Sequence, residues 1–295
     1  MNIEYIKFTS TDGLVLDGLA VGKSTSSTVF IFIHGFSSSL FAGIPLAKTM
    51  SNQGSQVILF NNRGHDFIAK LKKVDKSAKK GYKTQLIGSS HEIFTDCVLD
   101  IEGAMKFVYD RGVSNIFLVG HSTGCQKVVY ATTRLPQYAS IVKGIILLAP
   151  VSDHAGELAH EGAQKVKNAL EYAKNMVQKG RSHDIMPAEV WHKLVDAQRF
   201  LSLNDPESLE EIFSYSQPKK EAATLGSLKV PVLAILGDDD EHLDRPASMI
   251  ADWLRKELGS LATVRIISGG NHNFTNLESA LASSIHEWVN AVQQK

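Results

Sequence analysis

Five short runs of consecutive apolar residues recur along the chain, at 29–33, 57–60, 116–119, 144–149 and 232–236. An unbroken apolar run suits a strand covered on both faces, as parallel sheets require; a strand with one wet face would alternate. Between the runs lie stretches of helical periodicity at 45–52 and 92–109, another after Ser122, and, beyond the fifth run, 247–258, a further strand at 263–267 and an amphipathic stretch at 277–292. Alternating strands and helices predict an α/β fold, a mainly parallel sheet with helices on both faces. The strand-like segments 3–8 and 14–21, joined by Thr11-Asp12-Gly13, predict a hairpin forming an antiparallel edge.

The alternation breaks at 153–217. This segment is densely charged, has no buried strand run, and carries helical periodicity at 170–177, 189–200 and 206–213. At 295 residues the chain suits one large core, here 1–152 and 218–295, with 153–217 as an inserted helical cap. Ligands of open α/β sheets bind at the carboxyl edge of the strands, so a cap there would shape substrate access. A decorative subdomain is the plainer alternative. A second distinctive stretch, 70–83, holds seven lysines and one acid, Asp75. It reads as a solvated surface loop, or more sharply as a basic rim steering anionic substrates.

Composition narrows the function classes. Hydrophobic residues at 43% and charged residues at 21% describe a globular chain, and 31 basic against 31 acidic side chains leave no global excess for nucleic acid. Only Cys97 and Cys125 are available for a disulfide, which excludes a disulfide scaffold and fits a reducing compartment. The opening MNIEYIKFTS lacks the basic and apolar pattern of a signal peptide, and no apolar run approaches the ~20 residues that span a bilayer. A cytoplasmic protein with no membrane partner is expected. Homodimer formation is compatible with the sequence.

Chemistry concentrates in Gly120-His121-Ser122-Thr123-Gly124, a G-x-S-x-G sequence between the run 116–119 and an apolar helical stretch. That strand–turn–helix setting is the context of a nucleophile elbow, in which two glycines permit the tight turn that exposes the serine. A serine hydroxyl needs a base within hydrogen-bond reach, and on this kind of sheet the chain order is nucleophile, acid, base. His272, in Gly269-Gly270-Asn271-His272-Asn273-Phe274 after the last strand, takes the base position. The other histidines lie in the insertion, inside the final helix, or before or beside the serine. For the acid, Gly237-Asp238-Asp239-Asp240 follows the run 232–236. Asp240 is best placed once the turn is made; Asp238, Asp239 and Asp153, after the preceding strand, stay open. An oxyanion hole needs two backbone N–H donors. Thr123, after the nucleophile, offers one, and Phe36, in Ile33-His34-Gly35-Phe36, offers the other, with its ring lining the acyl pocket. Cys125 falls inside the helix and reads as a buried apolar filler. Neither cysteine has metal-ligand spacing to the other, and no H-E-x-x-H, Walker or G-x-G-x-x-G motif occurs. No cofactor and no metal are therefore expected.

With these residues in place, the chain resembles the α/β-hydrolase superfamily over nearly its full length. Its central part is similar to the DUF1749 serine hydrolases in LVGHSTGCQKVVY (118–130), IILLAPVSD (145–153), KGRSHDIMP (179–187), DEHL (240–243) and GGNHNF (269–274). That resemblance implies Ser122 as nucleophile, Asp240 as acid and His272 as base. The N-terminal half departs from that family's Gly-Gly type loop. His34-Gly35-Phe36 and Asn61-Asn62-Arg63-Gly64-His65 look more like feruloyl or cinnamoyl esterases, which also carry a helical cap. The expectation is a serine-dependent carboxylic-ester hydrolase with a small-molecule ester substrate. Feruloyl-type or siderophore esterase, thioesterase and acyltransferase are alternatives on the same triad, and a non-catalytic ligand receptor is the rival outside enzymology.

Overall fold

In the computed structural model, which describes residues 2–294, eight strands form one sheet. They are β1 (Ile3–Thr9), β2 (Val15–Val21), β3 (Thr28–Ile33), β4 (Gln56–Phe60), and then, past a separate hairpin β5 (Ala69–Val74) and β6 (Tyr82–Ile87), β7 (Asn115–His121), β8 (Val142–Leu148), β9 (Val232–Gly237) and β10 (Ala262–Ile267). The spatial order is β1-β2-β4-β3-β7-β8-β9-β10. All pairings from β4 through β10 are parallel, while β1–β2 and β2–β4 are antiparallel. The expected edge hairpin is present, turning at Gly13 with φ +91.

Helices cover both faces, and β3 shows why its run is unbroken. Val29, Ile31 and Ile33 point into the larger core, with α2 (Cys97–Tyr109), α3 (Thr123–Arg134) and α8 (Ala247–Leu258). Phe30 and Phe32 point into the other, with α1 (Ile44–Asn52) and α9 (Glu278–Gln293). Period-two alternation is thus intact, but both phases are dry.

Between β8 and β9 the chain forms α4 (Asp153–Glu161), α5 (Ala163–Gln178) and α6 (Ala197–Asn204), followed by the short α7 (Ala223–Gly226). Val166, Ala169, Ala173 and Met176 of α5 meet Trp191, Phe200 and Leu203 in a core of their own. The helix limits differ from the periodicity reading. Helix α4 was not anticipated; Ser152 starts it by accepting the Ala155 amide, 2.9 Å. Of 189–200 only the end is helical, because Asp196 caps a new start by accepting the Arg199 amide at 2.7 Å. Segment 206–213 is not helical. There Asp205 and Ser208 side chains take the Glu207 and Glu211 amides, a local alternative to helix. The lysine-rich stretch is likewise not a loop. It is the antiparallel hairpin β5–β6, whose Lys73 reaches Asp12 at 2.8 Å.

Buried charge ties α6 to α3 and to the segment ahead of α2. Glu92, ahead of α2, meets Lys127 of α3 at 2.6 Å and Arg199 of α6 at 3.2 Å, and Arg199 also pairs with Glu210. All four side chains are essentially inaccessible to solvent. This is why residues 92–96 do not join α2: Glu92 is held by the cations, and a 3-10 turn, Phe94–Asp96, leads into the helix. Removing one partner of such a group strands its counter-charges, so Arg199→Met should lower unfolding free energy by about 3–5 kcal/mol in denaturant titration.

Candidate active site

Strand β7 delivers Ser122 to the carboxyl edge of the sheet at a sharp turn. Its backbone sits at φ 54, ψ −129, a left-handed conformation costly for a non-glycine residue. Two hydrogen bonds hold it: the Ser122 amide donates to Leu148 O at 3.0 Å, and the Cys125 amide to Ser122 O at 2.8 Å. The flanking glycines have a steric reason. A Cβ on Gly120 would strike the Gly124 carbonyl, and one on Gly124 would strike that of Ile33. Thr123 opens α3, where the first-turn amides have no intrahelical acceptor.

The loop after β3 lies against this turn; a Cβ on Gly35 would come to 2.9 Å from Ser122 Cβ. Buried His34 fixes the loop. Its Nδ1–H donates to Gly35 O at 2.9 Å, and its Nε2 accepts the Asn62 amide at 3.2 Å. Burial and the nearby Lys127 push its pKa down to about 3, matching a neutral ring in that tautomer. The 61–65 stretch is therefore a brace. Asn61 accepts the Leu40 amide, Asn62 Nδ2 donates to His34 O, and Arg63 pairs with Asp12, Asp96 and Asp100. Phe36 reaches past the loop and stacks edge-on against Phe67 at 5.9 Å.

The turns after β9 and β10 are pressed together. A Cβ on Gly237 would collide with the Gly270 carbonyl, so the close approach requires glycine there. Across this contact His272 Nδ1 lies 2.9 and 3.0 Å from the two Asp240 carboxylate oxygens. None of the competing acids bonds the ring: Asp238 accepts the Gly269 amide at 2.6 Å, Asp239 is exposed, and Asp153, in the same cavity wall, accepts from Gln126 at 3.0 Å. Burial would raise the Asp240 carboxyl, but the His272 hydrogen bond overrides it and holds it below the usual range.

Three supports of His272 were not singled out as site residues from the sequence. Glu241 accepts its amide at 3.0 Å, and His121 Nε2–H donates to its carbonyl at 2.8 Å. The His242 ring sits edge-on to its ring at 4.4 Å, and the His242 amide donates to Asp240 at 2.8 Å. Adjacency in the G-H-S and D-E-H strings was the available signal. Ser122, Thr123, Phe36 and His272 line one cavity of about 390 Å³, with Phe67 and Leu203 supplying apolar wall and Asp153, Glu157, His160, Lys193 and His242 supplying polar wall. Among the described residues, no group of three His, Cys, Asp or Glu side chains is placed to hold a metal ion, and no helix is long and apolar enough to cross a membrane. Cys97 and Cys125 are buried and unpaired, and burial pushes both thiols well above their ordinary range.

A strained serine at a strand–helix turn after β7, with an aspartate–histidine pair on the turns after β9 and β10 of a mostly parallel eight-stranded sheet, is the arrangement of an α/β-hydrolase fold. The chain belongs to the DUF1749 family, described as proteins of unknown function, whose model matches residues 21–293. It is 32% identical over 202 residues to the UPF0613 protein PB24D3.06c of Schizosaccharomyces pombe, an alignment covering 60% of this chain and 61% of that protein. The chain thus spans about three-fifths of the length of the curated relative it matches. Among solved structures it is similar to the siderophore hydrolase EstB of Aspergillus fumigatus, with TM-score 0.69 and 17% identity over 99% of this chain and 98% of that one. It is also similar to Est1E of Butyrivibrio proteoclasticus, solved with ferulic acid bound, with TM-score 0.65 and 17% identity over 98% and 99% of the two chains.

Burial, then neighbouring His272, pushes the His121 pKa down to about 4. Between about pH 6.5 and 4 the unfolded chain protonates this histidine while the folded protein does not, so stability falls as pH falls through that window. His121→Asn, which keeps a donor for the His272 carbonyl, should narrow the difference in unfolding free energy between pH 7 and pH 5 by about 2 kcal/mol.

Proposed function

We propose that this protein is a serine-dependent hydrolase of small to medium acyl or aryl carboxylic esters. The observation that carries the reading is the His272–Asp240 pair opening into the cavity that Ser122 lines from its strained turn. Ser122 Oγ attacks the ester carbonyl while His272 Nε2 takes its proton. Asp240 keeps the Nδ1–H tautomer and stabilises the imidazolium that forms. The amides of Phe36 and Thr123 receive the developing oxyanion, each worth about 3–4 kcal/mol of barrier. His272 then protonates the leaving alcohol, and water repeats the sequence on the acyl-enzyme.

Residues 153–217 act in this reading as the cap, since Asp153, Gly156, Glu157, His160, Lys193 and Leu203 line the cavity. The edge-stacked Phe36 and Phe67 suit a flat acyl group, and the ferulic acid bound to Est1E supports aryl esters as substrates. The siderophore hydrolase EstB supports ester cleavage on the same fold. Two buried, unpaired cysteines fit a cytoplasmic setting.

A fluorophosphonate probe should label the wild type and fail to label Ser122→Ala, and Ser122→Ala should abolish turnover of p-nitrophenyl esters. Folded wild type that takes no label overturns the reading. Asp240→Asn should lower kcat by several orders of magnitude with the circular dichroism spectrum intact. Near-normal turnover would remove Asp240 from the mechanism.

A further inference from the structure

Helix α4 lines the cavity with Asp153, Glu157 and His160, spaced so that all three lie on one helix face. Glu157 is paired with Lys193, but among the described residues Asp153 forms no ion pair. One Asp153 oxygen accepts from Gln126 Nε2 at 3.0 Å, and Gln126 is also held by Val151 O at 3.2 Å. The cations near the carboxyl, Lys193 and Arg199, draw its pKa down without pairing with it. Arg199 of α6 is engaged by Glu92 and Glu210, Lys193 by Glu157, and Glu210 and Glu211, after α6, are like-charged neighbours. His154, beside it on α4, donates instead to Asn204 O, while His160, His242 and His272 line the cavity around it. Burial, then Glu210, pushes the Asp153 pKa up to about 8. In the neutral protein it is a carboxylic acid with an O–H to donate.

We infer that Asp153 is the residue that sets substrate preference, donating its carboxyl O–H to a hydrogen-bond acceptor on the substrate. The inference rests on the cavity being the ester site. It assigns as substrates esters that carry a second carbonyl-type acceptor a few bonds from the cleaved one, with their apolar part against Phe36, Phe67 and Leu203. Loss of the Asp153 proton turns the donor into a charged acceptor, which repels that group, so the preference falls as pH rises through about 8.

Ligands matched in length separate this recognition from catalysis. In Ser122→Ala, calorimetry should show dimethyl succinate binding about five- to tenfold tighter than methyl hexanoate at pH near 6.5, and the ratio should fall toward one at roughly pH 9. Adding Asp153→Leu should abolish the ratio, whereas Asp153→Asn, which still donates, should keep it at both pH values. With Ser122 intact, p-nitrophenyl methyl succinate should be preferred over p-nitrophenyl hexanoate through KM, with the same response to pH. A ratio that survives Asp153→Leu overturns the assignment. So does methyl 6-aminohexanoate binding more tightly than dimethyl succinate at pH near 6.5, because Asp153 would then already be ionised and capturing a cation. Turnover without any acceptor preference defeats the Asp153 assignment and leaves the hydrolase reading standing. The predicted binding ratio without turnover or probe labelling does the reverse.

Discussion

The Glu92 carboxylate is the constraint on which the rest of the site depends. It lies out of water between a lysine on the helix that follows Ser122 and an arginine on the helices between β8 and β9. A charge in that position is tolerated only with both cations in place. Lys127 in turn reaches Asn62, whose side chain and amide hold His34, and His34 shapes the loop that presents Phe36. Even Gly64 follows from it, because a Cβ there would run into the carboxylate. One buried acid thus couples the serine turn, the loop opposite it and the helices between β8 and β9, three segments far apart along the chain.

Against that shared frame, the aspartate–histidine pair is organised independently. Asp240 and His272 ride on turns locked by backbone contact between Gly237 and Gly270, and the parallel pairing of β9 with β10 sets their register. The histidine is then enclosed by neighbours that each hold a different part of it: Glu241 its amide, His121 its carbonyl, Asp240 its ring nitrogen, His242 its ring edge. Dense bonding of this kind keeps one imidazole in one orientation at the cavity wall.

The sheet was legible because burial on both faces writes itself as unbroken Val, Ile, Leu and Phe, and because glycine pairs mark where backbones touch. Counting residues consumed in a turn singles out Asp240 from Asp238 and Asp239, and of these three carboxylates Asp240 is the one that lies against the His272 ring. The helices between β8 and β9 were legible only as a class. Their ends are decided by local side-chain bonds at Ser152, Asp196, Asp205 and Ser208, and polar residues do not announce whether they cap, turn or face water. The 70–83 stretch misled for a related reason. Lysines alternating along a strand with modest burial carry no apolar stripe, so pairing between β5 and β6 left little trace in composition. Glu92, Lys127 and Arg199 were invisible as a set, since 107 residues separate the first from the last and charge alone does not reveal burial.

The same carboxylate limits how this scaffold can be diversified. The segment leaving β8 and returning to β9 has its own apolar centre around Trp191 and Phe200. Grafting a foreign segment in its place would leave Glu92 facing an empty position unless the transplant brought a guanidinium to the same spot, or unless residues 92 and 127 were exchanged along with it. Inherited variation in this region is therefore expected to travel as linked groups rather than as single changes, with the arginine as the toll for entry.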